Sequence, residues 1–269
     1  CRAYVYNDKI SHQPFIVCKE VNLLAYNQCQ REKIEQEAQF FESSDYSSEK
    51  LGFHVVQYVS SEYLKDKLYI YLEFCNGGTL CDRIVYKQPT NIWYIAIASM
   101  HALARLHYNC IIHRDVKPDN LMFHNGDLKL IDFGSIKLCQ FTNANTDIGN
   151  EIFKAPEVGK TEYDSRVDIY SLGVVLFCLD QMEIVVNKVQ INTEKIKDAQ
   201  MKPIIQKMIQ KNPDDRIDIK SFFELEIIKQ KISDQWEKFN YKHIIEEMVT
   251  GDKYMEVPWF YKQLYREKV

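Results

Sequence analysis

Polar and apolar residues alternate at residues 3–6 and again at residues 15–21, with the turn-like stretch 7–14 between them, which predicts two strands joined as a hairpin. From about residue 28 to residue 42 the apolar positions Ile34, Ala38 and Phe41 fall at helical spacing, and the helix gives way to a Ser-rich stretch, 42–52, expected to be an exposed loop. Residues 55–59 and 68–74 read as two further strands, after which Asn76, Gly77 and Gly78 break the pattern and mark a lobe boundary. Residues 92–108 are apolar on most faces, as a buried helix requires. A short hairpin, 121–123 with 128–131, turns through Asn125-Gly126, a pair suited to a type I′ turn. Beyond Val167 the pattern is helical almost to the end. A β-rich half precedes an α-rich half, so the expected class is α+β with two lobes.

Composition narrows the functions open to such a chain. Its 269 residues are 46% hydrophobic and 27% charged, ordinary for a folded globular domain. A formal charge of −4 supplies no bulk field for nucleic acid, and no run of 18 apolar residues predicts a membrane segment. The eight cysteines, from Cys1 to Cys178, include no C-x-x-C pair, which argues against zinc or a disulfide framework and for reduced thiols in an intracellular, cytoplasmic protein. The chain opens on Cys1 without an initiating Met and reads as a fragment of something longer.

Three ordered motifs carry the chemistry: His113-Arg114-Asp115-Val116-Lys117-Pro118-Asp119-Asn120, then Asp132-Phe133-Gly134, then Ala155-Pro156-Glu157. Singly, Asp115 and Asp132 would read as turn-capping carboxylates. In this order and at this spacing the set resembles the catalytic domain of the eukaryotic protein kinases, Ser/Thr type. The resemblance covers roughly residues 3–230 and implies a bilobal fold, with an N-lobe over 1–75 and a C-lobe over 76–232; residues 233–269 lie beyond that fold as an extension expected to pack on the domain.

The implied activity is transfer of the γ-phosphate of ATP, with Mg2+, to Ser or Thr hydroxyls of a protein substrate. Phosphoryl transfer passes through a loose transition state, so the protein mainly positions groups and supplies countercharge. By resemblance, Asp115 accepts or orients the proton of the hydroxyl and Lys117 places a point charge beside the transferring group. Asn120 and Asp132 hold the metal ions. Val17-Cys18-Lys19 resembles the strand bearing the phosphate-binding lysine, and Glu37, eighteen residues later, is the favoured partner carboxylate over Glu32 and Glu35, because Phe41 would then face inward. Val5, Val17, Leu72 and Met122 would enclose the adenine, with Leu72 as gatekeeper and the backbone of Glu73 and Cys75 bonding its edge. Asp168 would bond the catalytic-loop backbone, and Arg216 would pair with Glu157 structurally.

The sequence departs from the family pattern in places. Ala3 falls at the third glycine of the glycine-rich loop, whose earlier glycines would precede Cys1, and Asn150 replaces a Thr. These favour a second reading, a catalytically weak pseudokinase acting as a scaffold. Lys19, Asp115, Asn120 and Asp132 stand against it, since a scaffold needs none of them. Thr146, eleven residues before Glu157, lies where many family members carry an activating phosphate, with Arg114 and Lys137 to receive it and Thr142 as a competing site. The extension carries Trp236, Phe239, Trp259, Phe260, Tyr261 and Tyr265, a density expected to dock on the domain or on a partner.

Overall fold

The structure is a computed structural model, and it describes residues 2–6, 16–28, 31–32, 34–35, 51–132, 137–138, 151–160 and 162–235. Strands β1 (Arg2–Tyr6) and β2 (Ile16–Asn22) pair antiparallel as the expected hairpin. With β3 (Tyr58–Leu64) and β4 (Lys67–Glu73) they form a four-stranded sheet in the order β1-β2-β4-β3. Because side chains alternate faces with period two, register decides what meets across the sheet. Val5 pairs with Val17 and Val17 with Leu72, so three apolar side chains form one row; Lys19, opposite Ile70, stands on the same face.

The strand expected over 55–59 is displaced. Val55 and Val56 are only 2% and 3% exposed, and they are sewn to the other lobe, Val55 by a parallel bridge to Leu130 and Val56 by donating its N–H to the Leu130 carbonyl at 3.0 Å. Their apolar run reflects burial between lobes, and the strand begins at Tyr58. Most of the helix expected over 28–42 lies outside the described residues.

The second lobe holds α1 (Leu80–Val85), α2 (Ile92–Tyr108), β5 (Ile111–Ile112), β6 (Leu121–His124), β7 (Asp127–Leu130) and β8 (Lys137–Leu138). These precede α3 (Arg166–Gln181), α4 (Lys202–Met208), α5 (Ile219–Glu224) and α6 (Glu226–Asp234). Thirteen of the seventeen residues of α2 are buried, which makes it the central post of the lobe and explains why its sequence lacks a polar face. Asn91 starts that helix by accepting the N–H groups of Trp93 and Tyr94. The β6–β7 hairpin turns through Asn125 and Gly126 at φ 52° and 97°, both left-handed as a type I′ turn demands. One continuous apolar core links Val55 and Val56, α2, the β6–β7 hairpin and α3.

Candidate active site

The loop 113–120 runs between β5 and β6, and its shape is set by a carboxylate from another element. Asp168, in the first turn of α3 and fully buried, accepts the N–H of Arg114 at 2.8 Å on one oxygen and that of His113 at 2.9 Å on the other. His107 Nε2 lies 2.8 Å from the second oxygen. These bonds hold Arg114 at φ 66°, a left-handed conformation costly for a side-chain-bearing residue. Burial pushes the Asp168 carboxyl upward, but the His107 hydrogen bond, electrostatic attraction toward the neighbouring His107 and His113 rings, and the His113 amide outweigh it and hold the group below its ordinary value.

His113 ties this loop to the strand that follows. Burial pushes its imidazole below the usual histidine value, so the ring is neutral at pH 7. Its Nε2 lies 3.0 Å from the Ile131 carbonyl, which can only accept, and the Asp115 N–H donates to Nδ1 at 3.3 Å. Both contacts are satisfied only by the tautomer with the proton on Nε2.

Asp115 is the hub of the loop. Lys117 Nζ donates to its carboxylate at 2.6 Å, and the Asn120 amide nitrogen donates to the same oxygen at 2.9 Å and to the Asp115 carbonyl at 2.7 Å. With that nitrogen committed, the amide oxygen is the Asn120 atom left for a cation. The Ile131 N–H donates to the Asn120 carbonyl at 2.9 Å, which brings Asn120 beside the segment ending in Asp132. Asp132 sits at φ 63°, and Lys19 reaches it from β2, Nζ to carboxylate 3.3 Å. Among the described residues no group of three or more His, Cys, Asp or Glu could grip a metal alone. An amide oxygen and one half-exposed carboxylate suit an ion that keeps waters and shares phosphate oxygens, as magnesium does.

The remaining predicted residues divide into four groups. Val5, Val17 and Leu72 share one register row, with Val5 55% exposed at its open end. Arg216 binds Glu157 through two nitrogens at 2.6 and 2.8 Å, and its guanidinium also donates to the carbonyls of Gln210, Arg166 and Lys211. Cys75 is buried, its thiol pushed up to about 12 by desolvation and then by Glu73, and Met122 is half-buried in β6. Glu37, Thr146, Asn150 and Thr142 lie outside the described residues, and Lys137 enters only through its backbone in β8.

Sequence reasoning missed several partners. The Glu73 side chain meets Lys129 at 3.2 Å, and Lys129, only 2% exposed, lies 4.5 Å over the Phe53 ring. Its place between Leu128 and Leu130 in a strand would suggest a solvent-facing lysine, so nothing in the sequence signalled the pair. His107 has no local motif either; its partner lies 61 residues away.

A carboxylate hub with a lysine and an asparagine, next to a second carboxylate held by a lysine from an N-terminal sheet, is the arrangement of a phosphoryl-transfer domain. The family that matches is the protein kinase domain, over residues 3–255, and the chain belongs to it. The match runs beyond residue 230, where the recognisable pattern fades. Among curated proteins the chain is similar to the ovarian-specific serine/threonine-protein kinase Lok of Drosophila melanogaster, 41% identical over 127 residues, which is 42% of this chain and 27% of that protein. It is similar to calcium-dependent protein kinase 24 of Arabidopsis thaliana, 37% identical over 123 residues, 43% of this chain and 21% of the other. The serine/threonine-protein kinase dst2 of Dictyostelium discoideum is 36% identical over 143 residues, 48% of this chain and 12% of its own length. The matched stretch is thus a quarter or less of most of these relatives. The domain is of the kind found in serine/threonine protein kinases, and no helix among the described residues is long and apolar enough to cross a membrane.

Proposed function

We propose that the chain transfers the γ-phosphate of ATP to Ser or Thr hydroxyls of protein substrates. The observation that carries this reading is the reach of Lys19 from the sheet to Asp132, 3.3 Å away, beside a complete Asp115–Lys117–Asn120 cluster. A scaffold gains nothing from holding these four polar groups together.

In this reading Asp115 orients the substrate hydroxyl and takes its proton as the oxygen bonds to phosphorus and ADP departs. Lys117, already 2.6 Å from that carboxylate, supplies positive charge where the phosphoryl group develops negative charge. Asn120, through its amide oxygen, and Asp132 would hold Mg2+, which would supply countercharge to the phosphates. Lys19 steadies the phosphates, with Glu37 as its proposed partner carboxylate. Val5, Val17, Leu72 and Met122 provide apolar area for the adenine, and the backbone of Glu73 and Cys75 its hydrogen bonds. Phosphorylation of Thr146, met by Arg114 and Lys137, orders the segment before Glu157. A cytoplasmic address belongs to the same proposal.

The test is ATP turnover on a generic protein substrate with Mg2+, comparing wild type with Asp132→Asn. Turnover should vanish in the variant while its thermal unfolding stays near wild type, because an amide is a poor magnesium ligand beside a carboxylate. Near-wild-type turnover in Asp132→Asn removes the metal assignment. A wild type that binds ATP without turning it over is a binding module instead.

A further inference from the structure

We propose that the C-terminal segment Trp236–Tyr241 docks back onto the domain, into the groove between the start of α2 and the β6–β7 hairpin. This groove is a cavity of about 370 Å³, and its walls include Arg83, Thr90, Asn91, Tyr94, Phe123 and Gly126. It lies outside the cluster around Asp115.

Three observations converge on that occupant. First, the chain is delivered there. Helix α6 is anchored by the buried Ile228 and Ile232, and Lys231 lies 4.9 Å over the Trp93 ring. At its end the side-chain carbonyl of Gln235 accepts a hydrogen bond from the Asn91 amide at 3.0 Å. Asn91 therefore caps α2, lines the cavity and holds the residue immediately before Trp236. At ~3.3–3.6 Å per extended residue, residues 236–241 reach across a groove of this size.

Second, the cavity and the segment match in polarity. The Arg83 guanidinium carbon lies 3.4 Å from the centroid of the Phe123 ring, its Nε is buried without a hydrogen-bond partner, and Arg83 makes no ion pair among the described residues. A buried arginine edge beside an aromatic face is suited to another ring and to a carboxylate. Desolvation pushes the guanidinium downward, which a nearby anion would offset. Third, the sequence after Gln235 reads Trp-Glu-Lys-Phe-Asn-Tyr, so it supplies three rings and the Glu237 carboxylate within six residues. Rings at that density are costly to leave in water, and burying them favours docking.

The experiment places a benzophenone amino acid at Thr90 of the full chain, irradiates it, and maps the crosslink by mass spectrometry. An equal mixture of isotopically light and heavy chains separates a bond within one molecule from one between copies. The expected product joins position 90 to residues 236–241 of the same chain, and its yield falls ~10-fold in Trp236→Ala/Phe239→Ala, as for loss of aromatic anchors. As a second readout, the amides of Gln88, Thr90 and Asn91 should exchange hydrogen faster in that variant than in wild type. Crosslinks only to a second copy, no product in 236–241, or exchange and yield unchanged by the double substitution would overturn the proposal. None of these readouts depends on catalysis.

Discussion

The Asp168 carboxylate accepts the Arg114 backbone N–H at 2.8 Å while Arg114 holds φ 66°. A buried helix residue thus stabilises a strained backbone one position before Asp115. Replacing it with Asn leaves one oxygen for two N–H groups and turns an NH2 toward donors, so Asp168→Asn should cost about 1–3 kcal/mol in denaturant unfolding. Turnover should fall more than stability accounts for, since the loop would relax away from its left-handed turn. Equal turnover per folded molecule would show that the loop keeps its shape without this carboxylate.

Much of this site could be read from the chain because its residues are near neighbours. Asp115, Lys117 and Asn120 lie within six positions, so their contacts follow from one turn and its motif. The helix at 92–108 and the Asn125-Gly126 turn were equally plain, since periodicity and turn chemistry are local properties. What sequence could not supply is contact between distant segments. Glu73 with Lys129, His107 with Asp168 and Asn91 with Gln235 join residues that no local pattern relates, the last pair 144 positions apart. The misplaced strand at 55–59 has the same cause: two valines buried against the other lobe look like two valines in a sheet.

Arg216 and Glu157 form a bidentate pair in which the arginine side chain is fully buried. Its other donors are also satisfied, by three backbone carbonyls. Removing only the carboxylate, as in Glu157→Leu, strands a buried charge and should cost about 3–5 kcal/mol. The double variant Glu157→Leu/Arg216→Met should recover part of that loss. A double variant less stable than Glu157→Leu would show that the three carbonyls, not the ion pair, are what Arg216 chiefly serves.

Gly173 lets α3 lie against α4. A Cβ added there would fall 2.6 Å from the Ile209 Cγ2 and 2.8 Å from the Met208 Cβ, inside any real carbon–carbon contact. Alanine normally favours a helix over glycine by about 1 kcal/mol, but here overpacking of about 1–3 kcal/mol should win. Thermal unfolding of Gly173→Ala should therefore come at lower temperature than wild type. A higher temperature would mean that the two helices separate easily.

Acid should weaken the domain well before its carboxylates titrate, through His101. This ring is buried in α2, with its centroid 5.9 Å from that of His54, and Arg105 lies one turn further along the same helix. Burial, then His54, then Arg105 push the His101 pKa well below 6.5, so the folded state holds the ring neutral. The unfolded chain has no such restraint and binds a proton near pH 6.5. Folding is therefore favoured fully above about pH 6.5, and stability declines as pH falls, by up to about 1.4 kcal/mol per pH unit for this one group. His113, lowered by burial in the same direction, adds to the slope. Asp168, held below its ordinary value, acts in a separate window, adding its loss only as pH drops below about 4. Urea midpoints at pH 7.5, 6.5 and 5.5 should thus fall steadily in wild type. In His101→Gln, which cannot take the proton, the fall should be shallower by about one proton's worth of slope. Identical slopes in the two proteins would place the acid sensitivity elsewhere than His101.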